Sequence, residues 1–213
     1  MNRRELLRLV TLATGSVLIG SELLLSGCNT TESNAAFTTL TAEEIAFLDE
    51  VGETILPATS SPGAKAAGVG VFINIMIRDC YEADDQQTFR NGISDLDEAC
   101  KKMQGTTFLE ATAEQREQFL IVLDKEAKDY SKKKTLFDSD QGKLYTQAQE
   151  KGDLQFKKER MQPHYFTMMK QLVMIGFFTS KIGATQALRH VPVPGRYDGA
   201  MEYKKGDKAW SSK

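Results

Sequence analysis

Apolar side chains recur along this chain at intervals that predict helices. Ile45, Leu48, Val51 and Ile55 fall three or four positions apart, which lines one face of a helix. Thr41 and Glu44 stand before them at capping-box spacing, where a hydroxyl and a carboxylate satisfy the free N–H groups of a first turn. This helix must end before Pro57, whose ring and missing N–H break the ladder. Pro62-Gly63, Gly68 and Gly70 then mark a structured turn. Val71 to Tyr81 is a dense apolar run that predicts a largely buried helix, and its β-branched content leaves a strand as the alternative. A third helix is expected from Asp85 to Met103, with Phe89, Ile93, Leu96, Cys100 and Met103 on one face and Gly92 as a weak point. Thr112 and Gln115 repeat the capping-box spacing and open a fourth, through Phe119, Leu120, Val122 and Leu123 to Tyr130.

Residues 131–162 are polar and charged, which predicts a loop and one exposed helix around Leu144 to Lys158. Pro163 to Ile182 follows as a helix with apolar residues almost all round, suited to the centre of a bundle or to a partner. Beyond it, Pro192 and Pro194 force an extended backbone and Gly195 permits a sharp turn, so this ordered tail, with Tyr197 and later Trp210, lies across its own surface or a partner's. The fold class is therefore mainly α: a single-domain helical bundle over residues 41–200 with an extended Pro/Gly-containing C-terminal tail, 201–213 closing the chain.

The first thirty residues have a different composition. Arg3, Arg4 and Arg8 form a basic region, Leu9 to Leu25 is mostly apolar, and Leu25-Ser26-Gly27-Cys28 ends it, the three-part plan of an export signal. Those four residues fit the lipobox pattern, in which the cysteine thiol takes a diacylglycerol before cleavage. Residues 1–27 are thus read as a lipoprotein signal peptide, Cys28 as the lipidation site and residues 28–40, polar and small, as a flexible tether. Glu22 and the small residues around it make the apolar stretch a poor membrane span. Arg3-Arg4, one variable residue and an apolar pair resemble the twin-arginine export pattern, although Asn2 and Leu6 depart from it. Localisation is expected at the cell envelope, lipid-anchored and facing the periplasm, and Asn29 in place of an aspartate favours the outer membrane.

Cleavage would leave 186 of 213 residues, enough to bury a core, and a net charge of about −3, against −2 for the whole chain. Such a chain has no electrostatic footprint for nucleic acid. Lys132-Lys133-Lys134 is its strong basic run, read as a solvated helix end, with a phosphate or lipid-headgroup contact as the competing reading. Cys80 and Cys100 are twenty residues apart in an oxidising compartment, so a disulfide between adjacent helices competes with two free core thiols.

Groups for chemistry are few. There are two histidines, His164 and His190, no zinc spacing and no Cys-x-x-Cys-His for haem. Gly68-Val69-Gly70 lacks the rest of a dinucleotide fingerprint. Asp84-Asp85 and Glu43-Glu44 lie at helix starts, where the helix dipole accounts for them. His164 with Met168 four residues on could face a metal or haem, but methionine at helical spacing is more often packing. No catalytic, cofactor-binding or metal site is assigned to this chain.

Phe47-Leu48-Asp49 through Ile55-Leu56-Pro57, Pro62-Gly63-Ala64, Gly68-Val69, Gly176-Phe-Phe-Thr-Ser-Lys-Ile-Gly183 and Val193-Pro-Gly195 to Gly199 together resemble the gluconate 2-dehydrogenase subunit 3 family. The resemblance implies a small helical subunit beside a large glucose/methanol/choline-type flavoprotein that holds FAD and oxidises a sugar or sugar acid, with a c-type cytochrome taking the electrons. It also implies that the small subunit carries the export signal for both. The expected function is a non-catalytic accessory lipoprotein that exports, folds and tethers the flavoprotein through Phe177, Phe178, Pro192, Pro194, Gly195 and Tyr197. The alternative is a stand-alone envelope lipoprotein binding a ligand or protein through the same apolar helices.

Overall fold

The computed structural model is described for residues 39–193, 195 and 199–211; Arg3, Arg4, Cys28, Pro194 and Tyr197 lie outside them. Helix α1 runs Ala42–Ile55, and its capping box forms as the spacing requires: the Thr41 hydroxyl accepts from Glu44 N while the Glu44 carboxylate accepts from Thr41 N. Such a cap contributes about 1 kcal/mol. Leu40, placed in the tether by its sequence context, is a core residue, and its N–H donates to Asn74 Oδ1 at 3.0 Å. The domain's packing therefore begins one residue earlier than its first cap.

A 3₁₀ turn, Lys65–Ala67, leads into α2, Val69–Cys80, which resolves the strand alternative in favour of helix. Only one face of α2 is buried, through Val69, Ile73, Asn74 and Ile77, while Val71 and Ile75 are exposed. Helix α3, Ala83–Gln104, buries Phe89, Ile93, Leu96 and Cys100, but Met103, in its last turn, is exposed. Gly92 is the point of closest approach to Tyr165, where a Cβ would overlap the Tyr165 side chain. A glycine that costs helix propensity is thus used to bring two helices together.

Helix α4, Ala113–Glu150, departs most from expectation. It opens on the Thr112–Gln115 capping box and then continues for 38 residues, about 57 Å at 1.5 Å per residue, through the stretch expected to be a loop. The apolar stripe of Phe119, Leu120, Leu123 and Ala127 stops where the core stops. Beyond it the helix is held by local pairs, Lys132–Asp129, Lys134–Asp138 and Lys143–Asp140, each adding a few tenths of a kcal/mol. Gly152, at φ 76°, ends it: Asp153 N bonds Ala148 O and Gly152 N bonds Gln149 O, a Schellman arrangement. The helix expected to reach Lys158 stops eight residues short of it, and residues 153–164 return without regular structure.

Helix α5, Tyr165–Thr179, packs against α1, α2, α3 and α4 and so occupies the centre, as its apolar character requires. Pro163 does not occupy its first turn, because His164 caps it, its Nδ1 accepting from Phe166 N at 3.2 Å. Phe89, Phe108, Phe166, Leu48, Met169 and Leu172 are almost fully buried around this helix, each worth about 1.5–3 kcal/mol in transfer free energy. The architecture is mainly α, a helical bundle.

Candidate partner-binding surface

The residues that carry the family-like pattern turn out to build a joint. Three carboxylates on α1 organise the loop that connects it to α2. Glu53 accepts from Ala58 N at 2.8 Å and Lys65 N at 2.9 Å, and Asp49 Oδ1 accepts from Gly70 N at 2.7 Å. Glu50 bridges Lys65 and Arg116, the latter at 2.8 Å, and the paired cations hold its carboxyl below the usual range, the Lys65 hydrogen bond first and burial opposing. Arg116 also donates to the Phe108 and Leu109 carbonyls, which ties the α3–α4 connection to the same point. Gly70 is required by contact: a Cβ there would overlap Ile45 O. Glu53 and Asp49 are thus engaged in holding backbone, and Glu50 in pairing two cations.

The second patterned segment closes the far end of α5. Ser180 Oγ donates to Phe177 O at 2.7 Å and accepts from Gly183 N at 2.9 Å, which reverses the chain into a π-helical turn, Gly183–Ala187. Gly183 lies so close to Phe177 O that a Cβ has no room. Phe177, expected at a partner interface, is instead 4 % exposed and part of this chain's core. Sequence reasoning misplaced it because an all-round apolar helix does not reveal which neighbours cover each face. Phe178 is half-buried and meets Phe177 edge to face at 5.1 Å between centroids.

After the π turn the chain forms a loop closed at its base. Arg189 N donates to Ala209 O at 2.7 Å and Ser211 N to Arg189 O at 3.0 Å, so Arg189 and Trp210 pair as an isolated bridge. The Arg189 guanidinium lies 5.0 Å from the Trp210 ring centroid, His190 Nδ1 meets Ser211 Oγ at 3.0 Å, and Lys208 Nζ reaches Gln186 O. Residues 207–211, read from sequence as the end of a tail, therefore fold back onto 186–190. Within the loop Val193 is 80 % exposed and Tyr203 76 %, while Pro192, Gly195 and Met201 are also exposed. Gly195 takes φ 77°, the left-handed turn expected of it.

Elsewhere the residues weighed for chemistry have structural partners. His164 stacks on Tyr165 at 4.6 Å and meets Tyr130 edge-on at 5.4 Å; burial pushes its pKa below the ordinary value. Met168 is 2 % exposed in the core. Asp85, read as a dipole-compensating helix start, is buried and bonded to Arg160 across 75 positions, a contact that no local pattern announces. Cys80 is exposed and Cys100 buried, and both are free thiols, so the disulfide weighed between them is not made. Burial raises the Cys100 pKa, with Asp97 adding to it.

No curated protein and no solved structure matches the chain. The family model described as gluconate 2-dehydrogenase subunit 3 matches residues 42–195, from the first residue of α1 into the C-terminal loop, and the chain belongs to that family.

Proposed function

We propose that this chain is the accessory subunit of a membrane-bound, FAD-dependent sugar or sugar-acid dehydrogenase, exported with the flavoprotein and tethering it through lipid on Cys28. The family match over residues 42–195 carries the reading, since a family described as a dehydrogenase subunit supports a place in such a complex. The Arg3-Arg4 pair and the Leu25–Cys28 pattern add export and anchoring, FAD belongs to the large subunit, and a c-type cytochrome is the electron acceptor. The exposed loop between Arg189 and Trp210 is the surface that receives the flavoprotein. Closing the loop at its base lowers the ordering entropy of binding, and Val193 and Tyr203 offer apolar contact without first leaving this chain's own core.

Affinity purification of the tagged chain from its native membrane tests this. A co-eluting flavoprotein with an FAD spectrum is expected, and its loss in Tyr203→Asp, with the helical circular dichroism intact, places the contact on the loop. Sugar-dependent dye reduction by the purified chain alone would overturn the assignment.

A further inference from the structure

Helix α2 keeps an apolar strip exposed, and the chain enters the fold beside it. On one edge of the strip Gly70 abuts α1, where a Cβ would overlap Ile45 O. On the other edge Phe72 abuts α5, where a Cβ on Gly176 would overlap the Phe72 ring. Between these edges Val71 is 52 % exposed and Ile75, one turn on, 44 %, with Phe72 and Met76 half-buried beside them. Side chains four apart are neighbours on a helix surface, so the two make one small continuous apolar patch. The strip ends at Arg78 and Asp79, which pair with each other at 2.6 Å.

Covalent connection decides what reaches this patch first. Leu40 is 4 % exposed and its N–H donates to Asn74 Oδ1 at 3.0 Å, so residue 40 is pinned at the α1 edge of the strip. Val71 lies three positions back from Asn74 along α2, and Ile75 is its immediate successor. The chain before Leu40 reads Asn29-Thr-Thr-Glu-Ser-Asn-Ala-Ala-Phe-Thr-Thr39, in which Phe37 is the one large apolar residue. Phe37 stands three positions before Leu40, outside the described residues. Three extended residues span about 10 Å, and one helical turn is about 5 Å, so both Val71 and Ile75 are within its reach. A side chain tied this closely meets the patch at an effective concentration of about millimolar or above, which a free partner must supply from solution.

We propose that the exposed strip of α2 is the docking site of this chain's own residues 36–38, with the Phe37 ring across Val71 and Ile75. The strap extends the apolar contacts of the fold three residues upstream of Leu40. It accounts together for an aromatic residue in an otherwise polar tether and for an apolar patch beside the point where that tether arrives. The site goes beyond the accessory-subunit reading, since it forms without lipid and without the flavoprotein. Where Cys28 carries lipid, docking shortens the free chain between anchor and fold from the eleven residues 29–39 to the eight residues 29–36. The domain is then held about 10 Å closer to the bilayer at full extension.

A double-substitution cycle in urea unfolding tests it, on the full chain carrying Cys28→Ala so that no lipid is attached. Phe37→Ala, Ile75→Ala and the pair are compared, and the cycle cancels the change in helix propensity at position 75. Ile75 is exposed and Phe37 precedes the first cap, so the helices persist, as circular dichroism checks. Phe37→Ala is expected to raise the unfolding equilibrium constant about tenfold alone and less than twofold when Ile75→Ala is present. Phe37→Leu should keep most of the coupling. An effect of Phe37→Ala that is absent, or equal in both backgrounds, overturns the proposal. Sedimentation, and flotation on phosphatidylcholine vesicles, test the other occupants: self-association or vesicle binding lost in Ile75→Ala but kept in Phe37→Ala assigns the strip to a second copy or to a bilayer and also overturns it. No flavoprotein is present in any arm, so failure here leaves the accessory-subunit reading where it stood.

Discussion

Arg160 Nη2 lies 2.6 Å from Asp85 Oδ2, and the contact joins the irregular return from α4 to the first turn of α3. Asp85 is 7 % exposed, and its other oxygen, Oδ1, has no hydrogen-bond partner among the described residues. Arg160 also reaches Glu82, and its hydrogen bond to Asp85, more than the charge of Glu82, raises the guanidinium pKa. Because Arg160 is the cation in contact with this buried carboxylate, its removal leaves an acid with little solvent. The Arg160→Met variant should lose about 2 kcal/mol in urea unfolding, below the 3–5 kcal/mol of a fully buried pair because Arg160 is partly exposed. Asp85→Asn in the same background should recover part of that loss. A stability change within 0.5 kcal/mol of zero for Arg160→Met would show that the return segment is held elsewhere.

His164 supplies a pH dependence of known sign. Its folded-state pKa is lowered by burial, against the opposing charge of Glu126, so the unfolded chain binds the proton more tightly. The associated stability is fully present above the unfolded value of about 6.5 and is lost as pH falls from there through the folded value. His164→Asn keeps a side-chain acceptor at the N-cap of α5 and removes the titration. Its unfolding free energy should therefore be flatter than that of the unmodified chain between about pH 7 and pH 5. Equal slopes in denaturant titrations across that window would rule out His164 as their source.

Gly92 sets helix propensity against packing. An exposed mid-helix Gly→Ala change stabilises by roughly 0.5–1 kcal/mol. Here the new Cβ would overlap the Tyr165 side chain, which is stacked on His164 and cannot swing away freely. Overpacking costs about 1–3 kcal/mol, so Gly92→Ala should lower the melting temperature. The opposite shift would mean that α3 and α5 separate at little cost. The same variant should alter the high-pH spectrum, since burial first, with Glu126 and Asp95 adding, pushes the Tyr165 phenol up to about 12.

Phe177 and Cys28 separate the fold from the proposed anchor. Phe177→Ala removes a ring from the core and should cost about 3–5 kcal/mol whether or not a partner is present. Loss of the flavoprotein with undiminished stability would return Phe177 to the interface. Cys28→Ala should abolish metabolic labelling by a fatty-acid analogue and leave stability untouched, and labelling that survives it would remove the lipoprotein reading. Replacing Arg3 and Arg4 by lysine should hold the chain in the cytoplasm, as twin-arginine export requires.

Periodicity and caps determine structure within a few turns, and at that range the sequence was sufficient. Thr41–Glu44 and Thr112–Gln115 announce two helix starts because a capping box needs only residues three apart, and both form. Leu48, Val51, Phe89, Leu96, Phe119 and Leu172 follow from the stripe rule and are buried. The family, too, was legible, because its pattern is made of local joints: carboxylates meeting loop N–H groups and glycines where helices and loops touch. The length of α4 was missed for a local reason. Its apolar stripe ends near Ala127, but helix formation continues wherever propensity and ion pairs persist and no breaker intervenes, and the stop at Gly152 was present in the sequence without a stripe to lead to it. What only the tertiary structure decided are contacts between distant residues. Asp85 with Arg160, Arg189 with Trp210, the burial of Phe177 and the meeting of Leu40 with Asn74 each depend on where helices cross, and crossing is settled by the summed packing of many side chains, which no short stretch of sequence encodes.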